Sequence, residues 1–239
     1  MKRSLDEHAA RFDDKADEYD DSKSEEYRAC ASLVIDHAAP ESDDVVLDLG
    51  TGTGAIALPL AGEAERVLGR DISEGMLDRA REKVDERGLT NVEFAEGRFR
   101  EPNVPDDVRV DVVTSNFAMH HLDDEGKRAA IDVIADLGPD RVVLGDIMLF
   151  GEAEPAAPFF GPEVDDPATV GVLADAFTDA GFALTAVEMV HDQAGVLVAE
   201  PTGAAGETTI PSLGPDDGVG AGDAGTDADA GTDAEADDA

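Results

Sequence analysis

Val45-Val46-Leu47-Asp48-Leu49-Gly50-Thr51-Gly52-Thr53-Gly54 is the stretch from which the rest of the chain is read. Four apolar residues and one Asp have the character of a buried strand, and they run directly into three glycines at alternate positions. Residues 55–61 are mostly apolar and predict a helix, with Pro59 as a kink inside it. Strand, glycine turn and helix form the unit with which α/β proteins receive a nucleotide-like ligand. Glycine lets the backbone approach the ligand closely, and the helix N-terminus offers free N–H groups.

Outward from this unit, strands and helices alternate. A second strand over 65–70 ends at Arg70-Asp71. Ser73 caps a helix that runs to Arg87 and stops at Gly88. A third strand covers 91–96, a loop with two prolines follows over 97–105, and a fourth strand covers 108–116. Asp123-Asp124-Glu125 suits a helix N-terminus, and Ala130, Val133, Ile134 and Leu137 form its apolar face up to Gly138-Pro139. A fifth strand covers 141–149. Residues 150–166, with three prolines and Phe159-Phe160, read as a loop on the working face, where the two aromatics either join a substrate lid or anchor the loop. Asp166-Pro167 starts a helix that ends at Gly181, and strands over 182–190 and 194–199 are close enough to form an antiparallel hairpin. Five strand–helix alternations imply a parallel sheet with helices on both faces. Ligands of such sheets bind beyond the C-terminal strand ends, beside the first strand.

Ahead of the sheet, residues 1–40 read as a polar helical segment, closed by Pro40, that could cover a site. Residues 41–200 form the α/β domain, and residues 201–239, rich in Gly, Ala, Asp and Thr, read as a disordered acidic tail. The 239 residues carry 18 Lys and Arg against 56 Asp and Glu, a net charge of −38. The tail holds ten acids and no base, so the body alone keeps −28. Such a body repels itself until salt screens it, at a Debye length of about 3 Å near 1 M. The charge therefore predicts a protein adapted to high salt. It also excludes nucleic acid as a partner, since phosphates need a basic patch. No signal peptide or membrane span is read, which places the chain in the cytoplasm. Cys30 is a lone core cysteine, and no cysteine cluster is present to hold a metal. The oligomeric state does not follow from the residues.

The glycine loop fits two patterns. Gly50, Gly52 and Ala55 satisfy the G-x-G-x-x-A dinucleotide fingerprint, whereas Gly50, Gly52 and Gly54 satisfy G-x-G-x-G with Asp48 two residues ahead. An acid there is awkward beside a pyrophosphate and suits a ligand with an ammonium and a positive sulfur. Asp71, at the end of the second strand, can accept from ribose hydroxyls in either case.

The stretch from Val45 to Gly54 resembles the first motif of the class I S-adenosylmethionine-dependent methyltransferases. Gly69-Arg70-Asp71-Ile72-Ser73 is similar to the ribose-binding segment of that family. Asp111-Val112-Val113-Thr114-Ser115-Asn116-Phe117-Ala118-Met119-His120-His121-Leu122 is similar to its fourth-strand motif, and Leu137-Gly138-Pro139 to its turn into strand five. Residues 11–20 resemble the N-terminal segment of the branch near the quinone-biosynthesis C-methyltransferases, where it helps cover the cofactor. The resemblance spans about residues 8–200. It implies a three-layer α/β sandwich with a seven-stranded sheet in the order 3-2-1-4-5-7-6, strand 7 antiparallel. It also implies S-adenosylmethionine as cofactor and a small-molecule methyl acceptor. The cofactor-binding residues it implies are Asp48, Gly50, Thr51, Gly52, Gly54, Asp71, Ile72, Asn116 and Tyr19. One departure stands out. The family's Gly-Asp after strand three is Gly97-Arg98 here, and Arg cannot accept a hydrogen bond from the adenine amine. Either Arg98 stacks on the adenine, or Phe99 packs on the ring while backbone groups bond its edge.

Methyl transfer needs in-line alignment, and a base only where the nucleophile must lose a proton. The catalytic candidates are His120, His121 and Asp146. The His pair acts as a base, or shapes the pocket and caps the next helix, or ligates a metal. The last reading is the weakest, because successive side chains rarely point one way and no further ligand is evident, so no metal is expected. Asp146 binds a substrate hydroxyl or amine, or else bonds backbone near the loop. Tyr19 closes over the methionine end of the cofactor or lies on the surface. His8, His37 and His191 read as structural. The competing functions are an NAD(P)-dependent oxidoreductase on the same sheet and an S-adenosylmethionine-binding protein without catalysis.

Overall fold

The computed structural model describes residues 5–13, 16, 19, 20, 22–151 and 157–203. The tail from 204 onward, part of the 150–166 loop and part of the 11–20 segment, on which expectations were placed above, lie outside the described residues.

The sheet has seven strands: β1 (Val45–Leu49), β2 (Arg66–Asp71), β3 (Val92–Glu96), β4 (Val112–Asn116), β5 (Arg141–Ile147), β6 (Phe182–His191) and β7 (Ala194–Pro201). Their order is β3-β2-β1-β4-β5-β7-β6, with β7 antiparallel to both its neighbours. β1 and β4 are buried on both faces because helices cover each side. One apolar layer joins α2 (Glu25–Ala38) and α4 (Glu74–Arg87) to the sheet, through Cys30, Val34, Leu77 and Ala80. The other joins α5 (Asp124–Asp136) and α6 (Val170–Asp179), through Ile131, Ile134, Leu173 and Phe177. Burying such side chains is worth about 1.5–3 kcal/mol each before entropy is counted. A further short helix, α1 (Leu5–Asp13), precedes α2. Among the described residues no helix is long and apolar enough to cross a membrane.

The caps form where the residues predict. Ser73 accepts from the Met76 N–H and Gly88 ends α4 at φ 65°; Asp123 accepts from the Gly126 N–H at the start of α5. Three boundaries differ from expectation. The helix after the glycine loop, α3, is only Ala57–Leu60, because Pro59 lacks the N–H that a longer helix needs. β4 begins at Val112 rather than 108: Val108 donates back to Pro105, and the Asp111 carboxylate takes the Val45 N–H and Arg109. α6 begins at Val170, capped by Thr169, rather than at 166. Residues 166–168 are held as chain: Asp166 N–H donates to His120 O, and Ala168 O accepts from Leu149.

Candidate active site

A cavity of about 770 Å³ opens at the C-terminal ends of β1, β2 and β4. Its floor is the glycine loop. Gly50 N–H and Thr51 N–H donate to Arg70 O, which pins the loop to β2. Gly50, Gly52 and Gly54 all have positive φ. A Cβ on Gly50 would lie 2.3 Å from the Ala118 Cβ, so the loop touches the chain after β4 with no room for a side chain. Gly52 faces open space, with the Tyr19 ring 3.9 Å from where a Cβ would sit.

Asp71 lines the same floor. One carboxylate oxygen takes the Gly52 N–H at 2.8 Å and the other the Ser73 N–H at 3.0 Å. Burial pushes its pKa up against these two bonds. A carboxylate has about four acceptor positions, so two remain for a ligand. Ile72 and Met76 continue the wall beyond it, and Gly97, Arg98 and Phe99 close that end. Arg98 pairs with Glu96, and its N–H donates to Glu101 O at 2.9 Å, so that amide is already used. The buried Arg70 fixes this loop from below through Asn103 O, Glu93 and Gly69 O. The residues give no earlier sign of that role, since Arg70 reads there only as part of a polar strand end.

Asp48 does not line the cavity. It is buried beneath the loop, where it accepts from the Thr51 hydroxyl at 2.6 Å and the Thr114 hydroxyl at 2.9 Å. Burial raises its pKa to about 6, with the Asp71 charge adding to the shift. Thr51, Gly54 and Asn116 likewise stand behind the wall, supporting it.

The opposite end is made of side chains. Phe117 has φ 53°, rare for a non-glycine residue, which carries the chain out of β4 and turns its ring toward the cavity. Tyr27 meets it edge-on at 5.2 Å, and Tyr19 meets Tyr27 and Phe12 edge-on. Phe12 and His8 of α1 both pack on the His121 ring. His8 therefore belongs to the cavity wall rather than to the scaffold, and only the cross-chain packing shows it. Two carboxylates seat the N-terminal segment. Asp13 accepts from Ser73 Oγ and the Gly75 N–H; Asp20 accepts from Thr53 Oγ1, Lys83 and Lys23. Burial alone would raise the Asp20 pKa, but those three partners hold it well below the usual carboxylate range. Tyr19, buried beside Asp71 and Asp20, is pushed up to about 12 and stays a neutral phenol.

His121 lines the cavity and His120 does not. His120 is buried, with Nδ1 donating to Asp146 at 2.5 Å and its backbone N–H donating to the same carboxylate. Asp146 also takes the Ile147 N–H. It therefore orients His120 from behind and does not reach the cavity. The two imidazoles lie 4.1 Å apart, tilted by 50°, and both approach Asp165, a residue to which the sequence alone gives no role. Burial pushes the His121 pKa down despite the attraction of Asp165.

A family model described as a methyltransferase domain matches residues 46–137. An uncharacterized methyltransferase of Geobacillus sp. is 34% identical over 143 residues, covering 56% of this chain and 65% of that protein. The first curated relatives are matched over 46% to 65% of their own length. Two solved structures share the fold. One is the DhpI–SAM–HEP complex: TM-score 0.65, 22% identity, 84% of this chain and 100% of that one. The other is a chain of the complex between a Haloferax volcanii methyltransferase activator and a putative methyltransferase: TM-score 0.66, 20% identity, 80% and 97%. Over residues 46–137 the chain is similar to a methyltransferase domain, and the sheet order β3-β2-β1-β4-β5-β7-β6 accompanies that likeness.

Proposed function

We propose that this protein transfers the methyl group of S-adenosylmethionine to a small molecule bound at the His121 end of the cavity. The observation that carries the reading is the Gly50–Gly52–Asp71 floor. Its carboxylate is held by two backbone amides and keeps acceptor positions free for a pair of ribose hydroxyls. In this reading Ile72, Met76 and Phe99 take the adenine, with Arg98 at its edge. Gly50, Gly52 and Tyr19 take the methionine part, and Asp48 adds negative potential from beneath the loop to a ligand with an ammonium and a sulfonium.

The chemistry is displacement at the methyl carbon. The acceptor atom forms a bond to carbon, the carbon–sulfur bond breaks, and its electron pair stays on sulfur. The cavity supplies alignment and excludes water. A pocket of about 770 Å³ has room for a cofactor and a small acceptor rather than a folded partner. The DhpI–SAM–HEP complex, which shares this fold, supports the same reading. Labelled methyl from S-adenosylmethionine should appear in the small-molecule fraction of an extract mixed with the protein. Label found only in protein or RNA would overturn the acceptor class.

The net charge of −38 supports a working condition of high salt. The unfolding midpoint should rise from about 0.1 M to about 2 M KCl as repulsion is screened; a midpoint independent of KCl would contradict it.

A further inference from the structure

Three side chains that the methyl-transfer reading leaves unexplained converge beside the cavity. They are His120 and His121, from the turn after β4, and Asp165, from the loop before α6. One ligand-type atom of each lies within 4.8 Å of the other two. We propose that they bind a divalent transition-metal ion of the zinc type, with an open coordination position toward the cavity.

The geometry argues for convergence on a common point rather than for an internal hydrogen bond. His121 Nδ1 and Asp165 Oδ1 are 2.9 Å apart, yet both are buried atoms without a well-formed hydrogen bond. Two ligands of one ion stand in this relation: each points at the ion, and neither points at the other. With bonds of about 2.0–2.1 Å and tetrahedral angles, ligand atoms sit about 3.3 Å apart. Two of the three pairs, at 2.9 Å and, between His120 Nε2 and Asp165 Oδ1, at 3.8 Å, lie on either side of that spacing, and the pair between the imidazoles lies within 4.8 Å.

Two of the three ligands, His120 and Asp165, also have the support that metal ligands require. His120 donates Nδ1–H to Asp146 at 2.5 Å, which fixes the tautomer and leaves Nε2 with its lone pair facing Asp165. Asp165 is anchored through its other oxygen, which takes the Gly161 N–H at 2.8 Å. The loop carrying it is tied to the His pair by Asp166 N–H donating to His120 O at 2.7 Å. The nearest buried cation, Lys127, turns its ammonium to Leu122 O, Asp166 O and Asp124.

Two imidazoles and one carboxylate favour zinc-type or other borderline ions over Mg2+ or Ca2+, which prefer oxygen ligands. Three protein ligands leave a fourth position for water or an acceptor oxygen, as in catalytic rather than structural sites. His121 is the one of the three residues that also lines the cavity, and the proposed open position lies on that side. The site stands independently of the methyl-transfer reading.

The test is titration of the full chain with Co2+ alone, followed by visible absorption and calorimetry. About 2 M KCl and about 10 mM Mg2+ suppress loose binding to surface carboxylates. One equivalent should bind with the d–d absorption of a nitrogen-ligated four- or five-coordinate ion, and Zn2+ should displace it. Asp165→Asn and His121→Ala should abolish that signal, and Asp146→Asn should weaken binding about 10–100-fold by loosening His120. Thermal unfolding of each variant shows that it is folded, and the near-isosteric Asp165→Asn gives the decisive arm if His121→Ala is not. Absence of a one-equivalent site above the Mg2+ background, or an absorption spectrum unchanged in Asp165→Asn, would overturn the proposal. S-adenosylhomocysteine titrated into the same metal-free samples reports separately on the cofactor reading, so either can fail alone.

Discussion

The two ends of the cavity are built in opposite ways. The floor at Gly50, Gly52 and Asp71 is backbone-made: amides of consecutive elements hold one carboxylate, and the residues involved lie within about one strand–helix–strand unit. The far end is side-chain-made. His8, Phe12, Phe117, His121 and Asp165 come from α1, the end of β4 and the loop before α6, and they meet only once the chain is folded. A backbone-made site tolerates change around it but not in its own glycines. A side-chain-made site can be re-specified by single substitutions, which suits the part of the pocket that chooses an acceptor.

The sharpest way to break this contrast is in the loop itself. Gly50→Ala adds a Cβ 2.3 Å from Ala118 at φ 69°. It should cost about 3 kcal/mol in denaturant unfolding, from left-handed strain and overpacking together. Gly52→Ala has φ 53° without the clash and should cost about 1 kcal/mol. Equal costs would show that the loop's approach to Ala118 is not the constraint.

Asp48 sharpens the comparison from below. Its folded pKa, about 6, stands above its unfolded value near 3.9, so the folded state holds the extra proton between those pH values. The contribution of this group is therefore most favourable below pH 4 and is lost as pH rises through 6. Relative to Asp48→Asn, the wild type should lose roughly 3 kcal/mol between pH 4 and pH 7, measured by denaturant unfolding at each pH. A difference that does not change with pH would mean that Asp48 is solvated in the native state.

The smallest expected effect is at the N-terminal cover. Asp20→Ala removes the acceptor for Thr53, Lys83 and Lys23, and with it one of the two seats of that segment. Because Asp20 is half exposed, screening limits the cost to about 1 kcal/mol. The variant should weaken cofactor affinity about fivefold by calorimetry and lower the unfolding midpoint by about 2–4 °C. No change in affinity would detach the cover from the site.

How much of this was legible in the residues follows the same division. The caps at Ser73 and Asp123 and the terminal hairpin follow from local chemistry and period, the sheet order follows from the family resemblance, and the structure shows them. Gly50, Gly52, Asp71, Ile72, Arg98, Phe99, Tyr19 and His121 line the cavity. Asp48, Thr51, Gly54, Asn116, His120 and Asp146 stand one layer behind. A strand-end residue faces either the ligand or the support beneath it, and residue type alone does not separate the two. Asp165 and His8 were invisible because their partners are 44 and 113 residues away in sequence, respectively. Phe117 escaped because a positive φ is not its own preference; it accompanies a hydrogen bond from its N–H to the Gly145 carbonyl across the sheet.

The central claim is that the Asp71 floor holds a sulfonium nucleoside rather than a dinucleotide. Calorimetric titration of the wild type and Asp71→Asn with S-adenosylhomocysteine and with NADH, in about 2 M KCl, tests it directly. The account predicts one-to-one S-adenosylhomocysteine binding, weakened at least about tenfold in Asp71→Asn by loss of charged acceptors, and no heat from NADH. NADH binding without S-adenosylhomocysteine binding, or equal affinity in Asp71→Asn, would contradict it.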